Sequence, residues 1–198
     1  MLAMQKSFPR MRTDTAGNMR ISVIGTSGSG KTTLAGNLAA ALGATHLDLD
    51  AINWQPNWCD LSKNEPEEFR RRVTLAVQTD AWAACGNYSA VRPIVLARAT
   101  HIVWLDYSKP LVMRRVIQRS FARAIRKQEL WPGTGNRETF ARWFDEGHPI
   151  RWAWDTYDRR RERARAEFED PALGHIERIR LSHPRQAQPL IVRLAGGE

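Results

Sequence analysis

From residue 21 to residue 33 the chain reads Ile-Ser-Val-Ile-Gly-Thr-Ser-Gly-Ser-Gly-Lys-Thr-Thr, and this stretch constrains everything around it. The β-branched apolar run at 21–24 suits a central parallel strand buried on both faces. Gly25, Thr26, Ser27, Gly28, Ser29, Gly30, Lys31, Thr32 and Thr33 then fit G-x-x-x-x-G-K-[ST], the phosphate-cradling P-loop. Its glycines let the backbone turn tightly and point successive N–H groups inward, a concave nest for phosphate oxygens. Leu34, Leu38 and Leu42 recur every four residues, one apolar face of a helix starting near Lys31, and Gly43 stands where a C-cap glycine belongs. The positive end of that helix dipole faces the same phosphates. Lys31 is then in reach of the β- and γ-phosphates, and the Thr32 hydroxyl is a candidate Mg²⁺ ligand.

A chain of 198 residues is expected to form one domain with a real core. Residues 1–18 are polar, basic and aperiodic, and read as a loose tail ahead of a single domain over 19–198. Met19 directly precedes the first strand and is an alternative start of translation. The net charge of +9 calls for acidic partners, nucleotide phosphates or nucleic acid. Most of the eight tryptophans should be buried or half-buried. Cys59 and Cys85 have no metal-like spacing, so a reduced, cytoplasmic protein is the default. There is no apolar run of 18 residues, and no membrane association is expected.

Residues 45–50, Thr-His-Leu-Asp-Leu-Asp, read as the second strand. Alternation places Asp48 and Asp50 on one side of its carboxyl end, where ligands of open parallel sheets bind. One would hold Mg²⁺ through water and the other would accept a substrate hydroxyl proton. The alternative for one of them is a helix N-cap. Trp54 and Trp58 flank a proline in a wall that either stacks on a substrate ring or plugs the core. Residues 64–79 read as a helix with Phe69, Val73 and Val77 inside and Asn64 with Glu67 as a capping box. Residues 82–85 form a third strand, and Gly86, Asn87 and Tyr88 follow at its carboxyl end as candidate substrate contacts. Arg92 either binds an anionic part of the substrate or lies in solvent. Residues 100–106 form a fourth strand ending in Asp106, the Walker-B pattern that supports Mg²⁺.

Residues 110–127 read as a helix with Arg115, Arg119, Arg123 and Lys127 along one face. Either transferring phosphates or acidic neighbours offset that repulsion. Residues 127–137, with Pro132, Gly133 and Gly135, read as a mobile lid that carries Arg137 towards the phosphates on closure. Residues 138–147 and 150–168 read as helices. The five arginines at 159–165 are interleaved with Asp158 and Glu162 and flanked by Asp155 and Glu167, as in a solvated, self-paired helix. Residues 176–181 form the fifth strand, and residues 182–185 turn into a last helix running to about 194.

The sequence resembles the adenylate-kinase-related P-loop proteins labelled DNA topology modulation proteins. The likeness is carried by residues 25–33, residues 49–58, Gly86-Asn87-Tyr88, Trp104-Leu105-Asp106, Arg119 and Asn136-Arg137-Glu138, and covers about residues 20–194. It implies an α/β, three-layer P-loop NTPase of the nucleoside-monophosphate-kinase type. That fold has a five-stranded parallel sheet in the order 2-3-1-4-5 and an arginine-bearing lid. Shikimate kinases share this fold and are similar in an Asp-x-Asp at the distance from the P-loop lysine that Asp48 and Asp50 have from Lys31. In that family the first aspartate supports Mg²⁺ and the second contacts the acceptor hydroxyl, which makes Asp50 the acceptor contact here. They have a glycine-rich turn where this chain has Gly86-Asn87-Tyr88. In adenylate kinases the loop after the fifth strand lies against the adenine, which implies a nucleotide contact for Arg185.

The expected activity is transfer of the γ-phosphoryl of ATP, with Mg²⁺, to a nucleotide, nucleoside or other small hydroxyl compound by a monomer or homodimer. Lys31, Asp50, Arg119, Arg123 and Arg137 would act on the reacting groups. Thr32, Asp48 and Asp106 would serve the metal. Asp48, Asp50, Gly86, Asn87, Tyr88 and Arg92 would hold the acceptor. The alternative is a nucleotide-dependent DNA-binding or regulatory protein with weak ATPase activity, although no nucleic-acid-reading motif is present.

Overall fold

The computed structural model describes residues 18–126, 129–137 and 149–196. In chain order the elements are β1 (Arg20–Gly25), α1 (Lys31–Leu42), β2 (Thr45–Asp48), α2 (Leu49–Asn53), β3 (Trp54–Gln55), β4 (Cys59–Asp60), α3 (Leu61–Asn64) and α4 (Pro66–Ala76). There follow β5 (Trp82–Cys85), α5 (Arg92–Leu96), β6 (His101–Leu105), α6 (Lys109–Arg126), α7 (Pro149–Glu169), β7 (Glu177–Leu181) and α8 (Ala187–Gly196). Five strands pair in the order β2-β5-β1-β6-β7, every pair parallel. Counted over this sheet alone, that is the expected 2-3-1-4-5.

Strand alternation divides the core into two layers. Ile21, Val23, Val103 and Leu105 face Leu34 and Leu38 of α1, Val112 and Val116 of α6, and Leu190 and Leu194 of α8. Ile24, Ala84, Ile102 and Trp104 face Phe69 and Val73 of α4 and Val91 and Val95 around α5. Trp82 and Trp104 are fully buried. Truncating either to Ala would remove about 3–5 kcal/mol of stability.

The register brings three strand ends together. Gly25 pairs with Leu105, Val23 with Cys85, and Cys85 with Asp48. The P-loop, the turn after β5 and the Asp48 segment therefore leave the sheet side by side. Parallel strands need this arrangement, because each must return to the same edge through a crossover helix.

The structure departs from the expectations in several places. The second strand stops at Asp48, and Asp50 lies in α2 rather than on the strand. The two aspartates are thus neighbours through a helix start and not through strand alternation. The helix expected at 64–79 forms as the shorter α4, with Phe69, Val73 and Val77 buried as expected, but Pro66 stands at its first position with no side-chain cap, so the capping box does not form. Asn64 instead donates to Cys59 Sγ at 3.5 Å. The β3–β4 hairpin and α5 add to the elements the sequence pattern predicts. The helix expected at 138–147 and Lys127 lie outside the described residues. Among the described residues no helix is long and apolar enough to cross a membrane.

Candidate functional site

Gly25, Gly28 and Gly30 take φ values of 146°, 81° and 99°, the left-handed region that favours glycine. At Gly28 the requirement is also steric: a Cβ there would lie 2.2 Å from Val116 Cγ2. The loop is braced from within and from α6. Ser29 Oγ donates to the Thr26 carbonyl at 2.9 Å, Lys31 Nζ donates to the same oxygen at 2.8 Å, and Arg115 Nη1 donates to the Ser29 carbonyl at 3.0 Å. Gly30 caps α1 without any side chain, so the first-turn amides lack a side-chain acceptor. The Thr26 hydroxyl is buried and unbonded among the described residues. Burial lowers Lys31 to about 8; the charge of Asp50 opposes this, while Arg160 and Arg119 add to it.

Asp48 is the N-cap of α2, its Oδ1 accepting from the Asp50 amide at 3.0 Å. Burial and the charge of Asp50 push its carboxyl above the usual range. Asp50 accepts from the Tyr88 hydroxyl at 2.6 Å. The buried Cys85 thiol lies 3.6 Å from Thr32 Oγ1 and within the field of Asp48, and burial pushes it up to about 12. Thr32, Asp48 and Asp50 thus offer oxygen donors around one corner. They suit a hard cation that keeps most of its ligands from phosphate and water. Among the described residues no group of three His, Cys, Asp or Glu could hold a metal alone.

The turn after β5 faces the protein. Gly86 has φ 130°, and a Cβ would lie 2.6 Å from Leu49 Cβ. Asn87 Nδ2 donates to the Gly25 carbonyl at 2.8 Å. The Tyr88 ring packs edge-on to Phe69 at 5.0 Å, and burial followed by the charge of Asp50 keeps its phenol protonated far above its ordinary value.

The arginines are distributed otherwise than the charge pattern suggests. Arg92, expected at the acceptor, forms an ion pair with buried Glu167 at 2.7 Å. Asp106, expected at the metal, accepts from Arg161 Nε at 2.6 Å and Arg180 Nε at 3.0 Å, with both its oxygens engaged. Its side chain is 1% exposed. These contacts replace the self-paired helix: α7 turns Arg161 and Glu167 inward. Arg119 lies within electrostatic reach of Lys31, and Arg123 follows one turn along α6. Arg185 is exposed in the short helical turn after β7, its amide donating to His183 Nδ1 at 3.1 Å.

Arg160 is the site residue that the charge pattern hides. It lies on the buried stripe of α7 with Ala153, Tyr157 and Ala164 at helical spacing. Its guanidinium stacks 3.9 Å from the Trp152 ring centroid and feels Asp50 and Tyr88. Burial, then Arg163 and Arg159, lowers it to about 10. Among the described residues no carboxylate pairs with it. An arginine on an apolar stripe is the sequence signal that could have found it.

Residues 129–137 fold back on themselves. Glu129 and Arg137 form an antiparallel bridge, and the Gly135 amide donates to Glu129 Oε1 at 2.7 Å. Trp131 stacks on Trp54 at 5.9 Å and meets Trp58 edge-on at 6.2 Å. Buried Asn136 accepts from the Trp58 amide at 3.0 Å and donates to the Gln55 carbonyl at 2.9 Å. Trp54 and Trp58 therefore dock this hairpin, and Arg137 remains exposed. Trp58 sits at φ 59°, a costly conformation for a bulky residue that its ring and amide partners hold in place.

The sequence matches no family profile and no curated protein. Solved structures are similar in fold. The shikimate kinase of Acinetobacter baumannii, in complex with shikimate, has a TM-score of 0.52 at 18% identity, over 94% of this chain and 98% of that one. The shikimate kinase of Bacteroides thetaiotaomicron gives 0.51 at 16% identity, over 90% and 97%. A sugar kinase from Janibacter sp. HTCC2649 gives 0.50 at 15% identity, over 90% and 95%. The fold is that of these P-loop kinases. The likeness to topology modulation proteins gains nothing from these comparisons.

Proposed function

We propose that the chain is an ATP-dependent phosphotransferase acting on the hydroxyl group of a small anionic acceptor. The observation that carries this reading is the uncapped, glycine-built N-terminus of α1 with Asp50 in electrostatic contact with Lys31. Orphan amides and a helix dipole bind a triphosphate, and a carboxylate across from them serves an acceptor hydroxyl.

In this reading, residues 25–33 grip the triphosphate and Lys31 moves from the Thr26 carbonyl to the β- and γ-phosphates. Thr32 and Asp48 would hold Mg²⁺. Bound there, it would supply charge neutralisation for the phosphate oxygens. Asp50 orients and deprotonates the acceptor hydroxyl. Arg119 and Arg123, with Arg137 from the lid, balance the charge of the phosphoryl in transfer. Asp106 is left out of the metal set because Arg161 and Arg180 hold both its oxygens. Arg92 is left out of the acceptor set because Glu167 neutralises it. Arg160, half-buried with no acidic partner among the described residues and in the field of Asp50, takes the acceptor's carboxylate or phosphate. Arg185 remains assigned to the nucleotide base.

The DNA-binding alternative rests on net charge, and Arg92, Arg161 and Arg180 direct theirs at internal carboxylates. A screen for ADP release over nucleoside monophosphates, nucleosides and hydroxy acids tests the proposal. An acidic acceptor should stimulate release, and Lys31→Ala and Asp50→Asn should abolish it. Stimulation that survives in Lys31→Ala contradicts the donor site.

A further inference from the structure

The turn Gly86-Asn87-Tyr88 makes three contacts in three consecutive residues, each to a different part of the site. Gly86 lies against Leu49, directly between Asp48 and Asp50 in sequence, so closely that no side chain fits. Asn87 reaches the carbonyl of Gly25, where the P-loop leaves β1. Tyr88 reaches the carboxylate of Asp50. The turn is itself fixed at both ends. Cys85 pairs with Val23 and Asp48 in the sheet, and the Tyr88 carbonyl accepts from the Val91 and Arg92 amides at 3.3 and 3.1 Å, at the start of α5. The Tyr88 ring rests on fully buried Phe69.

We infer that this turn is a bracket that sets Asp50 at a fixed position relative to the P-loop, and that Tyr88 is a positioning residue for Asp50 rather than a substrate contact. The inference rests on the phosphotransferase reading and adds how the donor and acceptor halves are kept in register. Asp50 stands in the first turn of a five-residue helix. A helix that short has little stiffness of its own, so its carboxylate needs an outside anchor. A phenol 2.6 Å from Oδ1 supplies one. It leaves the second oxygen of Asp50 for the acceptor hydroxyl. The proton that Asp50 takes from the acceptor goes to that second oxygen, while Tyr88 keeps its own.

The test uses the full chain as wild type, Tyr88→Phe, Asp50→Asn and the double variant. Tyr88→Phe keeps the ring on Phe69 and removes only the hydroxyl. Two readouts are taken: urea unfolding without ligands, and ADP release with ATP, Mg²⁺ and whichever acceptor of the screen gives the highest turnover. The bracket predicts that Tyr88→Phe lowers kcat by about tenfold to a hundredfold, with KM for ATP and for the acceptor within about twofold of wild type. It also predicts that the two substitutions lower the unfolding midpoint together by less than their separate effects combined. A raised acceptor KM at unchanged kcat would make Tyr88 a substrate contact and overturn the inference. So would independent effects of the two substitutions on unfolding. If no acceptor stimulates the wild type, the phosphotransferase reading fails, and the unfolding cycle alone still decides whether Tyr88 holds Asp50.

Discussion

Arg161 of α7 and Arg180 of β7 close on a single carboxylate, with Arg161 Nε 2.6 Å from Asp106 Oδ1 at the end of β6. The pairing ties α7 to the sheet. Burial raises the Asp106 carboxyl, but the hydrogen bonds from Arg161 and Arg180 outweigh it and hold the group below its ordinary value. A carboxyl lowered in the fold contributes stability above its unfolded value and loses it as pH falls through the folded value. The contribution is therefore full at neutral pH and fades below about pH 4. Urea midpoints at pH 7 and pH 3 should fall further apart in the wild type than in Asp106→Asn.

Lys31 titrates in the opposite sense. Its folded value of about 8 lies below that of the unfolded chain, near 10.4. Between these values the unfolded chain binds more protons, so stability rises with pH through that window. Lys31→Met should abolish the rise. Because triphosphate favours the charged lysine, ATP binding above pH 8 should take up a proton. Calorimetry in buffers of different ionisation enthalpy would detect this, and Lys31→Met should eliminate it.

Arg160 should show itself as an acceptor residue. Losing one charge-assisted hydrogen bond corresponds to about a tenfold to hundredfold rise in acceptor KM. Arg160→Ala should give that rise with KM for ATP unchanged. Steady-state kinetics with the acceptor from the screen checks it.

The docking of residues 129–137 depends on Asn136. Asn136→Ala removes two hydrogen bonds, from the half-buried Trp58 N–H and to the half-buried Gln55 carbonyl, at about 1 kcal/mol each. Cleavage within residues 129–137 by a low dose of protease should accelerate, and the tryptophan fluorescence should change as the Trp54–Trp131 stack loosens.

Much of the fold was legible because its signals are local. The apolar run at 21–24 and the glycines after it specify β1 and its loop by steric need. Leu34, Leu38 and Leu42 specify α1 by period. The limits of the reading come from contacts distant in sequence. Asp50 leaves the strand because Asp48 caps a helix there, and in sequence an aspartate reads equally as a strand end or a cap. Arg92 and Asp106 read as ligand residues in sequence because their partners, Glu167 and Arg161 with Arg180, lie about 55–75 residues away. Arg160 was hidden among identical neighbours, and only its place on the stripe of Ala153, Tyr157 and Ala164 distinguishes it. In sequence Trp54 and Trp58 read equally as wall or plug; Trp131 and Asn136 give them a hairpin to hold.

The most direct measurement is titration calorimetry of the well-folded wild type and of Lys31→Ala with ATP at millimolar Mg²⁺. The account predicts one ATP bound per chain by the wild type, with binding lost in Lys31→Ala. A wild type that binds no ATP, or a Lys31→Ala variant that binds it undiminished, would contradict it.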